Sequence, residues 1–404
     1  GILLDTQGPE IRTGDTEHAL DLKEGDEVTL TVRDQIDVET SSIKINYKDL
    51  IKSVSPGSRI TVDNGLINFK VLSKQEETLL CRVLDGGKLG SKRHVNLPGV
   101  RVNMPSITSK DLKDIAFGIK NKVDFIALSF VRDADDLDKL QVILDKSKSA
   151  AKIIAKIENQ EGLDNIDTIC KSSWGVMVAR GDLGIETSLT DLPNIQRRIM
   201  HACGKWGKRS IVATHLLESM IHNPTPTRAE ASDVANAIYE GADAVMLSGE
   251  TSVGKYPVDC VKFLKSISYK TEKFTTLGYE KNLVPTSDWQ HIGITAKHLA
   301  ESTNADGIIA ITRTGETANL VSNAKPNGIP IYTFTNNKST YSKLSLVGSS
   351  HAFLIGSIRD HDKALLKVIS ILKKELSLSS GSKFILVSGI FSENHSEAIQ
   401  IIKI

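Results

Sequence analysis

Between residues 115 and 275 the chain alternates short β-rich runs with segments of helical period, and this alternation restricts the fold to parallel-sheet α/β architectures. The runs are FIALSF (125–130), KIIAKIE (152–158), GVMVAR (175–180), SIVATH (210–215) and AVMLSG (244–249). Their starts lie 27, 23, 35 and 34 residues apart, which is room for one strand and one crossover helix each. Near-continuous apolar strands are expected where helices cover the sheet. An open doubly wound sheet and a closed (β/α)8 TIM-type barrel both fit this pattern. The position of the polar residues favours the barrel. Ser129, Lys156 with Glu158, Arg180 with Asp182, Thr214 with His215, and Ser248 with Glu250 all fall at C-terminal strand ends. A barrel carries its chemistry at that end of every strand, whereas an open sheet concentrates it at one switch point.

Residues 9–97 follow a different rhythm. EVTLTV (27–32), RITV (59–62), LINFKVL (66–72) and TLLCRVL (78–84) read as short strands, separated by the turn signals Asp63-Asn64-Gly65 and Asp85-Gly86-Gly87. They form an all-β insertion, expected to act as a lid, between ILLDT and the rest of the α/β part. After a polar linker at 276–287 the βα alternation resumes to the end of the chain. The expected division is therefore 1–8 with 98–275, the barrel; 9–97, the inserted lid; and 285–404, a C-terminal α/β domain. Only six barrel strands are present in the sequence. Gly1 opens directly into ILLDT with no Met or leader ahead of it, so further N-terminal sequence is expected.

The chain has 404 residues with 50 Lys and Arg against 49 Asp and Glu. That balance offers no global field to attract nucleic acid or a membrane, and neither is expected as a partner. No apolar run is long enough to span a bilayer. Cys81, Cys170, Cys203 and Cys260 are scattered, without a CxxC pair or a disulfide framework. They point to a reducing, cytoplasmic setting.

The candidate chemistry lies in six segments. In AKIENQEG, Lys156 and Glu158 are two apart on a strand and face the same way, which suits holding a phosphoryl group and its metal. A structural salt bridge is the alternative. In MVARGDLGIE, Asp182 stands in a turn entering a helix, where free N–H groups bind anions. It is placed to share a divalent ion with Glu158 or to serve as a plain N-cap. Thr214 and the Ser248-x-Glu250 pair sit at strand ends and suit proton relay, or capping. In DTQGPEIRTG, Asp5 and Thr6 supply hard oxygens, and Arg12 is expected to reach back to the mouth and clamp phosphate. In the C-terminal part, ITRTGETAN carries Thr312, Thr314, Gly315 and Thr317 at a strand-to-helix turn, either a phosphate loop or a well-capped helix.

Taken together, DTQGPEIRTG, LPGVRVNMPSITSKD, AKIENQEGLDN, MVARGDLGIE, ATHLLESMI with PTPTRAEASDVANA, and DAVMLSGETSVGKYP resemble the pyruvate kinase family in order and spacing. The resemblance covers nearly the whole chain. It implies phosphoryl transfer from phosphoenolpyruvate to ADP, giving pyruvate and ATP, with Mg²⁺ (or Mn²⁺) and K⁺. It also implies a homotetramer when complete. Under the resemblance Lys156 stabilises the transferring phosphoryl group, and Glu158 and Asp182 hold Mg²⁺. The amides of Gly181 and Asp182 cradle the substrate carboxylate, with Ser129 also at the substrate. Thr214 lies on the methyl side of the enolate, with Ser248 and Glu250 supporting proton delivery. Arg12 and Arg93 contact the nucleotide, Asp5 and Thr6 ligate K⁺, and Glu10 resembles the K⁺-dependent branch. Thr312, Thr314, Gly315 and Thr317 resemble an effector loop, although SGIFSENHSEAIQI lacks the family's usual Gly/Pro-rich pocket loop. Gln7, His215 and Arg93 depart from common family residues. The competing readings are an inactive fragment acting as a binding or oligomerisation module, and a Mg-dependent lyase of the phosphoenolpyruvate/pyruvate barrel group.

Overall fold

Six strands lie side by side in chain order: Leu3–Asp5, Phe125–Leu128, Lys152–Ile157, Gly175–Ala179, Arg209–Ala213 and Ala244–Met246. Every neighbouring pair is parallel. This unbroken order decides between the two expected architectures. A doubly wound sheet reverses direction at a switch point, whereas a singly wound one curls toward a barrel. The computed structural model describes residues 1–16, 18–33, 42–100, 102–356, 361–376, 378, 381–388 and 398–404.

Alternate residues of these strands enter two different cores. Ile126, Leu128, Ile153, Ala155, Val176, Val178 and Val212 pack outward against the helices. Phe125, Ala127, Ile154, Met177, Ile211 and Ala213 fill the concave side. Both faces are apolar, which is why the strands read as continuous hydrophobic runs. All five runs end earlier than expected, at Leu128, Ile157, Ala179, Ala213 and Met246. Arg180 begins the helix Arg180–Glu186 instead of ending a strand.

Residues 11–96 contribute a seven-stranded sheet in the order Ile11–Arg12, His94–Asn96, Arg59–Val62, Ile67–Lys74, Thr78–Asp85, Glu27–Thr31 and Ser42–Lys44. It has its own core around Leu30, Ile43, Ile60, Phe69 and Leu79. Asp63, Asn64 and Gly65 all have positive φ (55°, 56° and 83°), the backbone that this turn sequence favours. The C-terminal sheet runs Ser350–Leu354, Ile331–Thr335, Gly307–Ile311, Lys383–Ser388 and Ala398–Lys403. Its first strand in sequence lies in the middle, and only the last strand is antiparallel.

The barrel floor meets the C-terminal unit through a buried charge cluster. Asp243 is fully buried and takes Arg209 at 3.2 Å and Lys325 at 2.6 Å. Arg209 also donates to Ser322 Oγ at 2.6 Å and to Asn323, both on the helix Glu316–Asn323.

Candidate active site

The strand Lys152–Ile157 turns Ile154 inward, and Lys156 follows it two residues on. Lys156 Nζ lies 3.0 Å from Asp5 Oδ1 and 3.1 Å from Glu158 Oε1. It donates to Ser129 Oγ at 2.9 Å. Three neighbouring strand ends thus converge on one ammonium whose side chain is 12% exposed. Burial works against its charge, but Glu158 and Asp5 outweigh burial and hold its pKa above the usual lysine range.

Glu158 is 1% exposed. Burial pushes its carboxyl up to about 7; Lys156 opposes that, and the charge of Asp182 adds to it. Its Oε2 accepts the N–H of Phe130 at 2.6 Å. To aim that amide, Phe130 adopts a positive φ of 54°, a strained state for an aromatic residue of the kind that clusters at functional sites. Ser129 is equally fixed, because its N–H donates to Thr6 Oγ1 at 3.0 Å and its Oγ to Thr6 O at 2.7 Å. Gly8, with φ 75°, lies against this corner. A Cβ there would sit 2.9 Å from both Ser129 Cβ and the Phe130 ring.

Asp182 stands in the first turn of the helix Arg180–Glu186, two residues past its start, so it is not an N-cap. Glu158 and Asp182 are two hard oxygen donors, the first buried and the second one-third exposed. This chemistry fits a divalent cation that keeps its other positions for substrate oxygens, the usual Mg²⁺ arrangement. Among the described residues no group of three or more metal-type side chains gathers.

Thr214 and His215 both have positive φ, 70° and 53°. The twist turns Thr214 Oγ1 onto the N–H of Gly181 at 2.9 Å, while the same hydroxyl donates to Ala213 O at 2.6 Å. The Gly181 amide expected to face substrate is therefore held by Thr214 here. Arg180 secures the bend. It is 8% exposed, its Nε lies 3.2 Å from the carbonyls of Ala213 and Thr214, and its Nη1 meets both oxygens of Asp233 at 2.8 and 2.7 Å. Nothing local in the sequence marks this role of Arg180, because its partner Asp233 is 53 residues away.

Glu250 is fully buried and accepts from Leu217 N at 3.0 Å and Ser248 N at 2.7 Å. It clamps two loops together and does not itself face the cavity as a free acid. Ser248 Oγ is buried without a hydrogen-bond partner, a hydroxyl available to a relay. Arg12 does not reach back to the mouth as expected. It folds onto Glu10 at 2.6 Å and donates to Lys92 O at 2.8 Å, and Gln7 Nε2 donates to the same Glu10 oxygen at 2.8 Å. The nearby carboxylate claims the guanidinium before any distant group can. Arg93 pairs with Asp63 at 3.3 Å. Asp5 and Thr6 are both oxygen donors, but Asp5 is shared with Lys156 and Thr6 Oγ1 with Ser129.

The inserted β domain faces the helix that carries Asp182 across a cavity. A cavity of about 770 Å³ separates Arg59, Thr61, Asn64 and Asn68 of the lid from Asp182, Thr214 and His215 of the barrel. That is within the usual range for small-molecule sites. Two lid residues reach across: His94 Nδ1 comes 3.5 Å from Asp182 Oδ1, and Asn96 Nδ2 donates to Glu186 Oε1 at 2.8 Å. Their strand has three residues, too short for a period-2 pattern to reveal.

In the C-terminal unit the Gly315 amide is taken by Thr312 Oγ1 at 2.9 Å, and that of Glu316 by Thr314 Oγ1 at 3.4 Å. Thr317 is buried. The two hydroxyls thus cap loop amides at the helix entrance, while the N-cap residue Gly315, in a left-handed conformation, makes no side-chain cap bond. Most of SGIFSENHSEAIQI lies outside the described residues.

The sequence matches the family model for the pyruvate kinase barrel domain over residues 1–261, and the model for the pyruvate kinase alpha/beta domain over 290–404. It is 39% identical to a pyruvate kinase of Staphylococcus epidermidis over 398 residues, covering 96% of this chain and 68% of that protein. It is 38% identical to plastidial pyruvate kinase 2 of Arabidopsis thaliana over 410 residues, covering 100% of this chain and 70% of that protein. The fold superposes on the crystal structure of a pyruvate kinase from Cryptosporidium parvum with a TM-score of 0.93 and 35% identity, covering 100% of this chain and 84% of that one. The matches extend through the inserted lid and the C-terminal sheet, which a bare lyase barrel would leave unexplained. On these grounds the chain belongs to the pyruvate kinase family of phosphotransferases.

Proposed function

We propose that this site moves the phosphoryl group of phosphoenolpyruvate to the terminal oxygen of ADP, breaking the P–O bond to the enol and releasing pyruvate after protonation on carbon. The observation that carries this reading is the Lys156 ammonium, held among Asp5, Glu158 and Ser129 beside the second carboxylate, Asp182. Phosphoryl transfer needs alignment and charge neutralisation more than covalent catalysis. Lys156 neutralises the transferring phosphoryl oxygens. The first-turn amides of Gly181 and Asp182 receive the substrate carboxylate, which displaces the Thr214 hydroxyl from Gly181. So released, Thr214 serves the carbon that accepts the proton, with Ser248 behind it and Glu250 holding the loops. Mg²⁺ (or Mn²⁺) bound by Glu158 and Asp182 would supply further charge neutralisation, and K⁺ would lie at Asp5 and Thr6. Arg12 and Arg93 would turn from Glu10 and Asp63 to the nucleotide.

The same reading proposes the division 1–8 with 98–275, 9–97 and 285–404, a homotetramer, and a cytoplasmic location, the last supported by four buried, free cysteines. No helix among the described residues is long and apolar enough to cross a membrane. An effector at Thr312, Thr314, Gly315 and Thr317 would have to displace the caps now in place.

The test is ATP formation from phosphoenolpyruvate and ADP with Mg²⁺ and K⁺. Lys156→Met is expected to lower turnover by about 10²–10³-fold or more while leaving the fold intact. An unchanged rate refutes the role of Lys156. No turnover from the unaltered chain would favour the binding or oligomerisation module instead.

A further inference from the structure

We propose that His94 and Asn96 form a two-point latch by which the lid sets the orientation of Asp182, making His94 a positioning residue for the metal. The inference rests on the reading above that Glu158 and Asp182 hold the divalent cation. It is carried by a match of two spacings. His94 and Asn96 are two apart on a strand, so both side chains leave the same face, about 6.7 Å apart. Asp182 and Glu186 are four apart on the helix Arg180–Glu186, so they too share a face, about 6 Å apart. Strand and helix therefore mate at both points at once: His94 Nδ1 to Asp182 Oδ1 at 3.5 Å and Asn96 Nδ2 to Glu186 Oε1 at 2.8 Å.

The two contacts differ in kind, and the difference assigns their tasks. The Asn96–Glu186 bond is full length and sealed from water, because Asn96 is 3% exposed. It sets the register. The His94–Asp182 approach is longer than a formed hydrogen bond, and a shift of about half an ångström at the lid would close it. His94 is itself well placed, with 15% of its side chain exposed and its ring set edge-on to Phe130 at 6.2 Å between centroids. Phe130 is the residue whose amide holds Glu158. Seating the lid thus brings a donor to one carboxylate of the cation pair and an aromatic edge to the residue that orients the other. Partners of this kind fix how a carboxylate presents its oxygens to a metal.

Binding of Mn²⁺ alone to the chain, without substrate, followed by the electron paramagnetic resonance of the free ion, tests the latch. His94→Ala is expected to weaken Mn²⁺ binding about tenfold. Asn96→Ala should weaken it in the same direction, although Asn96 touches neither carboxylate of the pair. His94→Asn, whose amide nitrogen stands as far from Cβ as Nδ1 does, should recover most of the loss. Wild-type affinity in both alanine variants would overturn the latch. A loss in His94→Ala that His94→Asn does not recover would assign the effect to packing and overturn the positioning role. Asp182→Asn separates the two levels of the argument. If it binds Mn²⁺ like the unaltered chain, the metal reading itself falls. If it loses Mn²⁺ while both alanine variants keep it, only the latch falls.

Discussion

Replacing Arg180 with Lys should disable the site without removing any group that meets substrate. The arginine fork serves the carbonyls of Ala213 and Thr214 and both oxygens of Asp233 from one buried position. A lysine ammonium is a point donor and cannot span these acceptors. If it stays with Asp233, both carbonyls lose their charged partner; Ala213 O keeps the Thr214 hydroxyl, but Thr214 O is orphaned, and an orphaned buried acceptor costs about 1–3 kcal/mol. The expected destabilisation is therefore about 1–3 kcal/mol. The kinetic effect follows from Thr214, whose left-handed backbone is itself costly by about 1–3 kcal/mol and depends on its surroundings to persist. Released, Thr214 relaxes and its hydroxyl leaves the methyl side of the substrate, an error of the size that costs about 10²-fold in turnover. Thermal melting and steady-state kinetics together supply the assay, with KM for phosphoenolpyruvate read separately from kcat. Arg180→Lys and Asp233→Asn should couple in a double-mutant cycle by at least about 0.5 kcal/mol. An unchanged melting point with unchanged kcat, or strict additivity, would refute the argument.

Three further outcomes are expected. Glu158 has a folded pKa of about 7, above its ordinary value, so in the metal-free protein its contribution to stability is complete below the ordinary glutamate range and is lost as pH rises through 7. Metal binding needs the ionised form, so Mn²⁺ affinity should fall by about tenfold per unit below pH 7, and Glu158→Gln should abolish both the affinity and its pH slope. Asp243→Asn leaves Arg209 and Lys325 buried without their counter-charge and should destabilise the chain by about 3–5 kcal/mol in chemical denaturation. In the unaltered chain, burial works against the Asp243 charge but Arg209 and Lys325 outweigh it and hold its pKa below the usual aspartate range. Its contribution to stability is present above that range and is lost as pH falls through the depressed pKa. Replacing K⁺ with Na⁺ should depress turnover, and indifference to the ion would remove the K⁺ assignment at Asp5 and Thr6.

Much of the fold could be read from residue patterns because strand ends in a singly wound sheet broadcast their polarity: Lys156, Asp182, Thr214 and Ser248 each interrupt an apolar run. The residue register of the strands is not legible, since pairing such as Leu4 with Ile126 is a long-range choice that periodicity does not record. The same limit hid the partners. Lys156 meets Asp5 across 151 residues and Asn96 meets Glu186 across 90, and nothing local announces either contact. Arg12 shows the converse: the phosphate it is expected to clamp is distant, while Glu10, two positions away, holds its guanidinium in this structure. Nothing local marks Asp243 either, because an aspartate beside a strand looks like any cap until Arg209 and Lys325 arrive from elsewhere in the chain.

The strand Arg209–Ala213 has a further consequence. Its floor end carries the arginine that grips Ser322 and Asn323 of the C-terminal unit, and the residue after its upper end is Thr214. The two ends are separated by five extended residues, about 17 Å of backbone, hydrogen-bonded on both sides. Such a strand behaves as a rod, stiff along its length and unable to absorb displacement by bending. The lid touches the reacting region from above through His94, while the C-terminal helix touches it from below through this rod. The chain thus gives two remote parts of itself mechanical access to the same site, one at Asp182 and one at Thr214, by routes that share no residue.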